Sequence, residues 1–536
     1  MIFYPATFSS HLPGRFPVGE GIFNRSARGG MPSCQLTFAF LFYHALDKKV
    51  YIESYGCQMN VSDSEVVASI LAKDGYTPVK SAEEADLVLL NTCSIREKAE
   101  YTVLQRINEM NNLKARNKDL KVGVLGCMAE RMREDLLVKK RVVDLVVGPD
   151  AYRSLPELLE EVEGGQRAVN VLLSREETYA EIEPVRLDSN GVSAFVTIMR
   201  GCDNMCAFCV VPFTRGRERS RDAASIVREC EQLVRDGYKE VTLLGQNVDS
   251  YEYTSSPTPS PGEKGLVETS PQPLSQGEGL AERNIPEKVD FADLLELVAV
   301  ACPTLRIRYS TSHPKDMTDK VLAVMARYDN ICKYIHLPVQ SGSSAVLHRM
   351  NRGYTREWYL ERIAAIRRYM PGCAISTDII TGFCGETEED HQQTLSLLET
   401  VGFEMAFMFK YSERPKTLAA RKYPDDVPED VKGRRLQEVI AMVTRTSGEG
   451  NQRLLGTEQT VLVEGVSKRS AEHVYGRNDR YNTVIVPRYM QDPSQPDGQL
   501  ELKSGMYVKV RVTQASASSL RGEALAEQAF SVYTHA

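Results

Sequence analysis

The run Ala194-Phe-Val-Thr-Ile-Met-Arg-Gly-Cys-Asp-Asn-Met-Cys-Ala-Phe-Cys209 sets a strand-like apolar stretch directly before a C-x3-C-x2-C triplet formed by Cys202, Cys206 and Cys209. Three thiolates can hold three corners of a 4Fe-4S cube, for which four Cys are the usual complement. A triplet with no fourth ligand nearby leaves one iron open to a substrate or cofactor, and that is a catalytic arrangement. The competing reading is a structural zinc knuckle with a distant fourth ligand, although such sites usually draw on paired Cys or His groups.

Strand-like runs recur downstream at Glu240 to Leu244, Leu305 to Tyr309, Tyr334 to Leu337, Ala374 to Ile380 and Glu404 to Phe409, alternating with amphipathic helices such as Ala223 to Arg235. These βα-type units predict a partial (βα)6 barrel over residues 190–435, with function at the carboxyl ends of the strands. The triplet follows the first strand, on that face. A Pro-, Ser- and Gly-rich stretch from Tyr253 to Glu287 interrupts the series and reads as a disordered surface insertion.

Upstream, residues 49–165 alternate strands and helices in the manner of an open parallel-sheet α/β domain. Strands are expected at Val50 to Ser54, Asp86 to Leu90 and Lys121 to Leu125, and each is followed at once by a cysteine: Cys57, Cys93 and Cys127. In an open parallel sheet all strand carboxyl ends lie on one edge, where ligands bind, so these three thiols should converge. Taken alone they could equally be buried thiols, since free Cys is among the most buried residue types. A Glu-rich segment and the stretch up to Asn190 read as a connector. Beyond the barrel, a charged helix around Val431 to Thr446 leads to short alternating runs at Gln459 to Val463, Thr483 to Val486 and Met506 to Val512, which predict a small β-barrel of the oligonucleotide-binding kind over residues 448–524. Residues 1–48 form an unassigned extension and 525–536 a tail.

A chain of 536 residues is long enough for two to four domains. Its net charge of -7 argues against coating nucleic acid by bulk charge, so any RNA site must be local. The 12 Cys do not read as the disulfide framework of a small secreted domain, and a reducing cytoplasm is expected. The apolar run Leu36-Thr-Phe-Ala-Phe-Leu-Phe42 falls far short of the roughly 20 residues that span a bilayer. Cys34, Cys230, Cys302, Cys332 and Cys373 fit no ligand spacing and read as structural.

The triplet, with Phe208 before its last Cys, resembles the signature of the radical S-adenosylmethionine (SAM) superfamily. That resemblance implies an open iron that chelates SAM, and an electron that cleaves it to methionine and a 5′-deoxyadenosyl radical. Gly56-Cys-Gln-Met-Asn-Val-Ser-Asp-Ser-Glu65 and Asn91-Thr-Cys-Ser-Ile-Arg-Glu-Lys-Ala99 resemble the methylthiotransferase family, in which the three matching Cys hold a second 4Fe-4S cluster. Val210-Val-Pro-Phe-Thr-Arg-Gly-Arg-Glu218 is similar to the branch that acts on isopentenylated adenosine in tRNA. Further matches at Leu244 to Tyr251, Arg308 to Pro314, His336 to Gly342 and Thr377 to Gly382 imply SAM or substrate contacts at Gly245, Gln246, Ser310, Gln340 and Asp378. Gly465 to Asn482 resembles the TRAM domain, an RNA-binding β-barrel, with Lys468, Arg469, Arg477 and Arg480 as its local positive charge and Tyr475 and Tyr481 suited to stacking.

The resemblance implies two 4Fe-4S clusters and two uses of SAM, one as methyl donor and one as radical source. It also implies a tRNA anticodon stem-loop as substrate, a flavodoxin or ferredoxin as electron donor, and a monomer with no membrane. A methylthiotransferase for threonylcarbamoylated adenosine or for a ribosomal-protein aspartate is the alternative enzyme, and a non-catalytic iron-sulfur RNA-binding protein the alternative class. Two departures from the family pattern stand out: Cys384, where Gly-Phe-Pro-Gly-Glu is common, and Lys416 in place of a usual Gly.

Overall fold

The computed structural model describes residues 48–94, 97–187, 190–255, 285–491 and 498–525. Its amino-terminal unit is a six-stranded parallel sheet in the spatial order Tyr76–Pro78, Lys48–Ser54, Leu87–Thr92, Lys121–Gly126, Leu145–Val147, Ala168–Asn170. Successive side chains of a strand face opposite ways. Leu87 and Leu89 accordingly enter one buried cluster with Val67 and Leu71, while Val88 and Leu90 enter another with Val103 and Ile107. A strand buried on both faces needs helices on both sides, and the helices Gln58–Lys73 and Glu97–Arg116 supply them.

Strand Lys48–Ser54 lies between the second strand of the chain and the third, so the strand order reverses beside it. Ligands of such sheets bind in the crevice outside the carboxyl ends at that reversal. The stretch expected as a connector up to Asn190 is partly regular: it holds the helix Leu155–Glu163 and the edge strand Ala168–Asn170. Three residues are too few to carry a period-2 signal, which is why the strand escapes a sequence reading.

The middle of the chain supplies six parallel strands in sequence order, split into two sheets of three. Ser193–Thr197, Glu240–Leu244 and Arg306–Ser310 form one, and Tyr334–His336, Ala374–Thr381 and Met405–Lys410 the other. The only bridge between the two, among the described residues, pairs Ile307 with Ile331. The intervening helices start on side-chain caps: Asp222 accepts from the Ser225 amide, Thr318 from Val321 and Thr355 from Trp358, while Asp290 with Asp293 and Thr387 with Asp390 form reciprocal capping boxes. The expected insertion opens from a short ribbon, Glu252–Thr254 paired antiparallel with Lys288–Asp290, so Tyr253 and Thr254 are strand rather than loop. The disordered character expected of its interior, over 256–284, lies outside the described residues, as do Cys34, nearly all of the 1–48 extension and the tail from 526.

Helix Glu429–Gln452 crosses the last barrel strand and delivers the chain to a closed five-stranded barrel of Glu458–Val466, His473–Arg477, Thr483–Pro487, Leu520–Ala524 and Tyr507–Ala515. Alternate residues Val461 and Val463, Val484 and Val486, and Val508, Val510 and Val512 fill it. The two outer units take opposite ends of the central barrel. The amino-terminal unit sits at the strand carboxyl ends, where Ser62 and Thr197 hydroxyls meet at 2.9 Å and Arg186 joins Glu65, Glu229 and the Phe195 carbonyl. The carboxy-terminal barrel sits at the strand amino ends: Arg306 donates to the Arg477 carbonyl at 2.8 Å, Arg308 to the Asn478 carbonyl at 2.6 Å and the Tyr507 hydroxyl to the Lys239 carbonyl at 3.1 Å.

Candidate active site between the two α/β units

Cys57 caps the amino end of helix Gln58–Lys73, Cys93 follows strand Leu87–Thr92 directly, and Cys127 opens the helix Cys127–Met132. All three are buried free thiols. Cys57 and Cys93 flank the strand-order reversal, and Cys127 follows the adjacent strand, so the sheet places the triad in its ligand crevice. Backbone shape makes room for it: Gly56 has φ of +112°, and a Cβ there would stand 2.2 Å from the Cys93 Cβ.

The electrostatics around this triad come from across the domain boundary. Arg215 of the barrel unit donates from Nε to the Cys127 Sγ at 3.2 Å and from Nη2 to Asn60 Oδ1 at 3.0 Å and Asp63 Oδ2 at 2.8 Å. The Cys57 thiol donates to the same Asn60 oxygen at 3.4 Å. Its hydrogen bond with Cys93, helped by the Arg215 charge and opposed by burial, draws Cys57 down to about 6. Burial pushes the Cys127 thiol up despite Arg215. Asp63 also accepts from Arg200 Nη1 at 2.8 Å, and although burial alone would raise its carboxyl, the two guanidiniums hold it below the ordinary range.

The second triad lies in the loop after barrel strand Ser193–Thr197. Cys202, Cys206 and Cys209 are half-buried, with Met205 exposed between the first two. Arg352 donates from Nη1 to the Cys206 Sγ at 3.1 Å, and the Val211 amide donates to the Cys209 Sγ at 3.4 Å. Burial pushes Cys202 up to about 12. Phe208 turns into an apolar cluster with Val346, Met350 and Phe383, so it anchors the loop beneath the triad.

Both triads carry the donor set of an iron-sulfur cluster. Each offers three soft thiol donors, and each has N–H groups aimed at sulfur, a usual means of stabilising a cluster's negative charge. The Arg215 Nη1 is buried without a hydrogen-bond partner, which leaves a donor available for a further anionic acceptor beside Cys127.

At the junction of the two units lies a small cleft lined by Cys57, Gln58 and Met59 on one side and Leu244, Gly245, Ser310 and Thr311 on the other. Two residues expected to touch SAM or substrate, Gly245 and Ser310, are therefore in its wall. At Gly245 a Cβ would come within 2.5 Å of the Met199 Cγ, so any larger residue must displace the Met199 side chain. Both amide atoms of Gln246 are buried without partners, the condition of a side chain whose ligand is a bound polar group. Gln340, at φ of +76°, is buried with its backbone paired to strand Ala374–Thr381, and Asp378 lies 3.5 Å from the His336 Nε2.

The expected RNA-binding residues divide. Lys468 and Arg469 are exposed on the turn after strand Glu458–Val466. Arg477 instead pairs with Glu464 and covers the ring of Tyr481, while Arg480 bonds Glu404 and the Gly372 carbonyl of the central barrel. Tyr481 stacks on Tyr334 at 4.9 Å and Tyr475 is half-buried. The charge cluster read from sequence thus mixes two solvent-facing cations with one, Arg477, that braces the small barrel internally and one, Arg480, that fastens it to the central barrel, because sequence proximity on a twisted hairpin does not distinguish outward from inward residues. Arg215 and Arg352 were missed as site residues. A signal existed for Arg215, which lies within the quoted Val210 to Glu218 match, but nothing local says that it crosses to another domain's cysteine.

Family models match three stretches: Uncharacterized protein family UPF0004 over residues 49–148, Radical SAM superfamily over 196–398 and TRAM domain over 452–525. The chain is 55% identical over 479 residues to the tRNA-2-methylthio-N(6)-dimethylallyladenosine synthase of Amoebophilus asiaticus, covering 89% of this chain and 93% of that protein. To the enzyme of the same name from Bacteroides thetaiotaomicron it is 52% identical over 477 residues, covering 89% and 96%. Among solved structures, the radical SAM methyltransferase TsrM from Kitasatospora setae, with cobalamin and a [4Fe-4S] cluster bound, aligns at a TM-score of 0.49 and 14% identity, covering 70% of this chain and 77% of that one.

Proposed function

Because the chain belongs to the family of tRNA-2-methylthio-N(6)-dimethylallyladenosine synthases, we propose that it is a radical SAM methylthiotransferase that acts on the 2-position of isopentenylated adenosine beside the tRNA anticodon. The observation that carries this reading is the shared cleft, with an auxiliary thiol on one wall and the SAM-side strand ends on the other. Cys202, Cys206 and Cys209 would hold the cluster that binds SAM, and Cys57, Cys93 and Cys127 the auxiliary one. When bound, these groups supply reductive SAM cleavage at the barrel and methyl transfer to sulfur at the auxiliary triad.

The chain's own residues position and enclose. Gly245 lets the backbone come close to the SAM amino group, and Gln246, Ser310, Gln340 and Asp378 supply polar contacts around the cleft. Met59, Leu244 and Phe195 pack with Cys57 and Cys93 into an apolar wall that keeps water from a reactive carbon centre. The target base must leave its stack to enter this cleft, as bases in RNA loops can. Lys468 and Arg469 would hold the RNA backbone. The half-buried triplet with Met205 exposed beside it suits electron entry from a flavodoxin- or ferredoxin-like donor, whereas the auxiliary triad is enclosed. Both triads come from one chain, so a monomer suffices.

The test is a pair of variants assayed on isopentenylated anticodon stem-loop RNA after anaerobic reconstitution. Cys206→Ala is expected to abolish SAM cleavage, and Cys93→Ala to leave uncoupled cleavage with no methylthio product. Normal product from either variant would refute the assignment, and product on threonylcarbamoylated RNA alone would move the substrate to that class.

A further inference from the structure

Arg215 belongs to the barrel unit and follows Cys209 closely in the chain, yet its guanidinium is directed at the other triad. It is fully buried. One edge meets the Cys127 Sγ, another meets Asn60 Oδ1, which also accepts from the Cys57 thiol, and Asp63 holds the same Nη2 in place. Asp63 is in turn gripped by Arg200, whose Nη2 donates to the Pro149 carbonyl at 3.0 Å. The amino-terminal unit therefore contributes three thiols, and the barrel contributes the cation that sets two of them.

We propose that Arg215 is the positioning residue of the auxiliary triad, a barrel side chain that fixes Cys127 directly and Cys57 through Asn60, so that the auxiliary site is complete only when the barrel is docked on it. The proposal rests on the two-cluster reading above. Its second support is the buried Nη1, which has no partner among the described residues. A buried donor left unmet costs stability, and an anionic sulfur held by the triad is the acceptor that this position would meet. Arginine suits the task because its planar fork serves several acceptors at fixed angles while staying charged. A lysine would keep the charge and lose the fork.

In the full chain carrying Cys202→Ala, Cys206→Ala and Cys209→Ala, iron can load only at the auxiliary triad. With isotope-labelled arginine, pulsed EPR of the reduced cluster is expected to detect an arginine nitrogen coupling. Adding Arg215→Met should abolish that coupling and move the reduction midpoint to more negative values, since a nearby cation favours the more negative reduced state. It should also make iron release to a chelator about 10- to 100-fold easier, the usual cost of losing an outer-shell partner. Arg215→Lys should restore most of the potential but not the retention of iron. A purely structural role would leave the potential and the coupling unmoved. Absence of the coupling in the Arg215-containing chain overturns the proposal, whether or not the Met variant folds, and so does an unchanged potential in a folded Met variant. If the triple-alanine chain takes up no iron at all, the two-cluster reading has failed and the proposal falls with it.

Discussion

Asp63 is a consequential carboxylate, because two buried arginines from the barrel converge on it. Removing one partner of a buried pair leaves uncompensated charge, at about 3–5 kcal/mol, so Asp63→Asn should lower the unfolding midpoint of the apo chain sharply at neutral pH. Its carboxyl is held below the ordinary range, and such a group contributes stability that is present above the unfolded value of about 3.9 and lost as pH falls through the folded one. The gap between parent and variant should thus be flat near neutrality and close in acid; a gap that persists through acid would mean that the carboxylate charge is not what matters. Lys416 offers the opposite case. Its φ of +71° lies in the left-handed region that glycine tolerates best. Lys416→Gly should stabilise by about 0.5–1 kcal/mol by chemical denaturation, the strain relieved exceeding the added chain entropy. The replacement of glycine was legible in the sequence, but its physical meaning appears only with the dihedral. Likewise the convergence of Cys57, Cys93 and Cys127 could be read from the strands that precede them, whereas the reach of Arg215 could not, because its partner is remote in the chain and no periodicity links them.

At the level of elements, strand ends decide what is near what. The strand–cysteine pattern of the amino-terminal unit could be read directly, since a buried parallel strand leaves a continuous apolar run and the thiol comes straight after it. The short strands Tyr76–Pro78 and Ala168–Asn170 could not, and the strand-order reversal that makes the crevice depends on the first of these. Amino ends of the barrel strands were equally silent: Arg306 and Arg308 look like solvated charges in sequence but are buried beneath the carboxy-terminal barrel. Arg308 bonds Glu240 at 2.8 Å and the Asn478 and Asp479 carbonyls, with Tyr481 over its guanidinium. Arg308→Met leaves Glu240 with the longer Arg306 pairing at 3.9 Å and frees those carbonyls, and should cost about 3–5 kcal/mol. Limited proteolysis should then release the carboxy-terminal barrel much faster than in the parent, and an unchanged digestion pattern would show that the remaining contacts, those of Arg306, Arg480 and Tyr507 among them, secure it without Arg308.

For the whole molecule, net charge misleads and local charge decides. A chain at -7 can still grip RNA if a few cations face solvent at the right place. Lys468→Glu with Arg469→Glu should weaken binding of anticodon stem-loop RNA and flatten the salt dependence of affinity by about one unit of slope for each lost phosphate contact. SAM cleavage without RNA should be untouched, and an unaltered salt slope would place the grip elsewhere. Arg480→Ala, by contrast, should loosen domain attachment, since that side chain is bonded to Glu404.

The carboxy-terminal barrel and the catalytic cleft occupy opposite ends of the central strands. Strands of three to eight residues make that interval roughly 10–26 Å at about 3.3 Å per residue, before loops are added. Under the proposed function the protein would work as a caliper: an RNA held by the small barrel at one end would have to extend along the central strands to bring its target base into the cleft at the other.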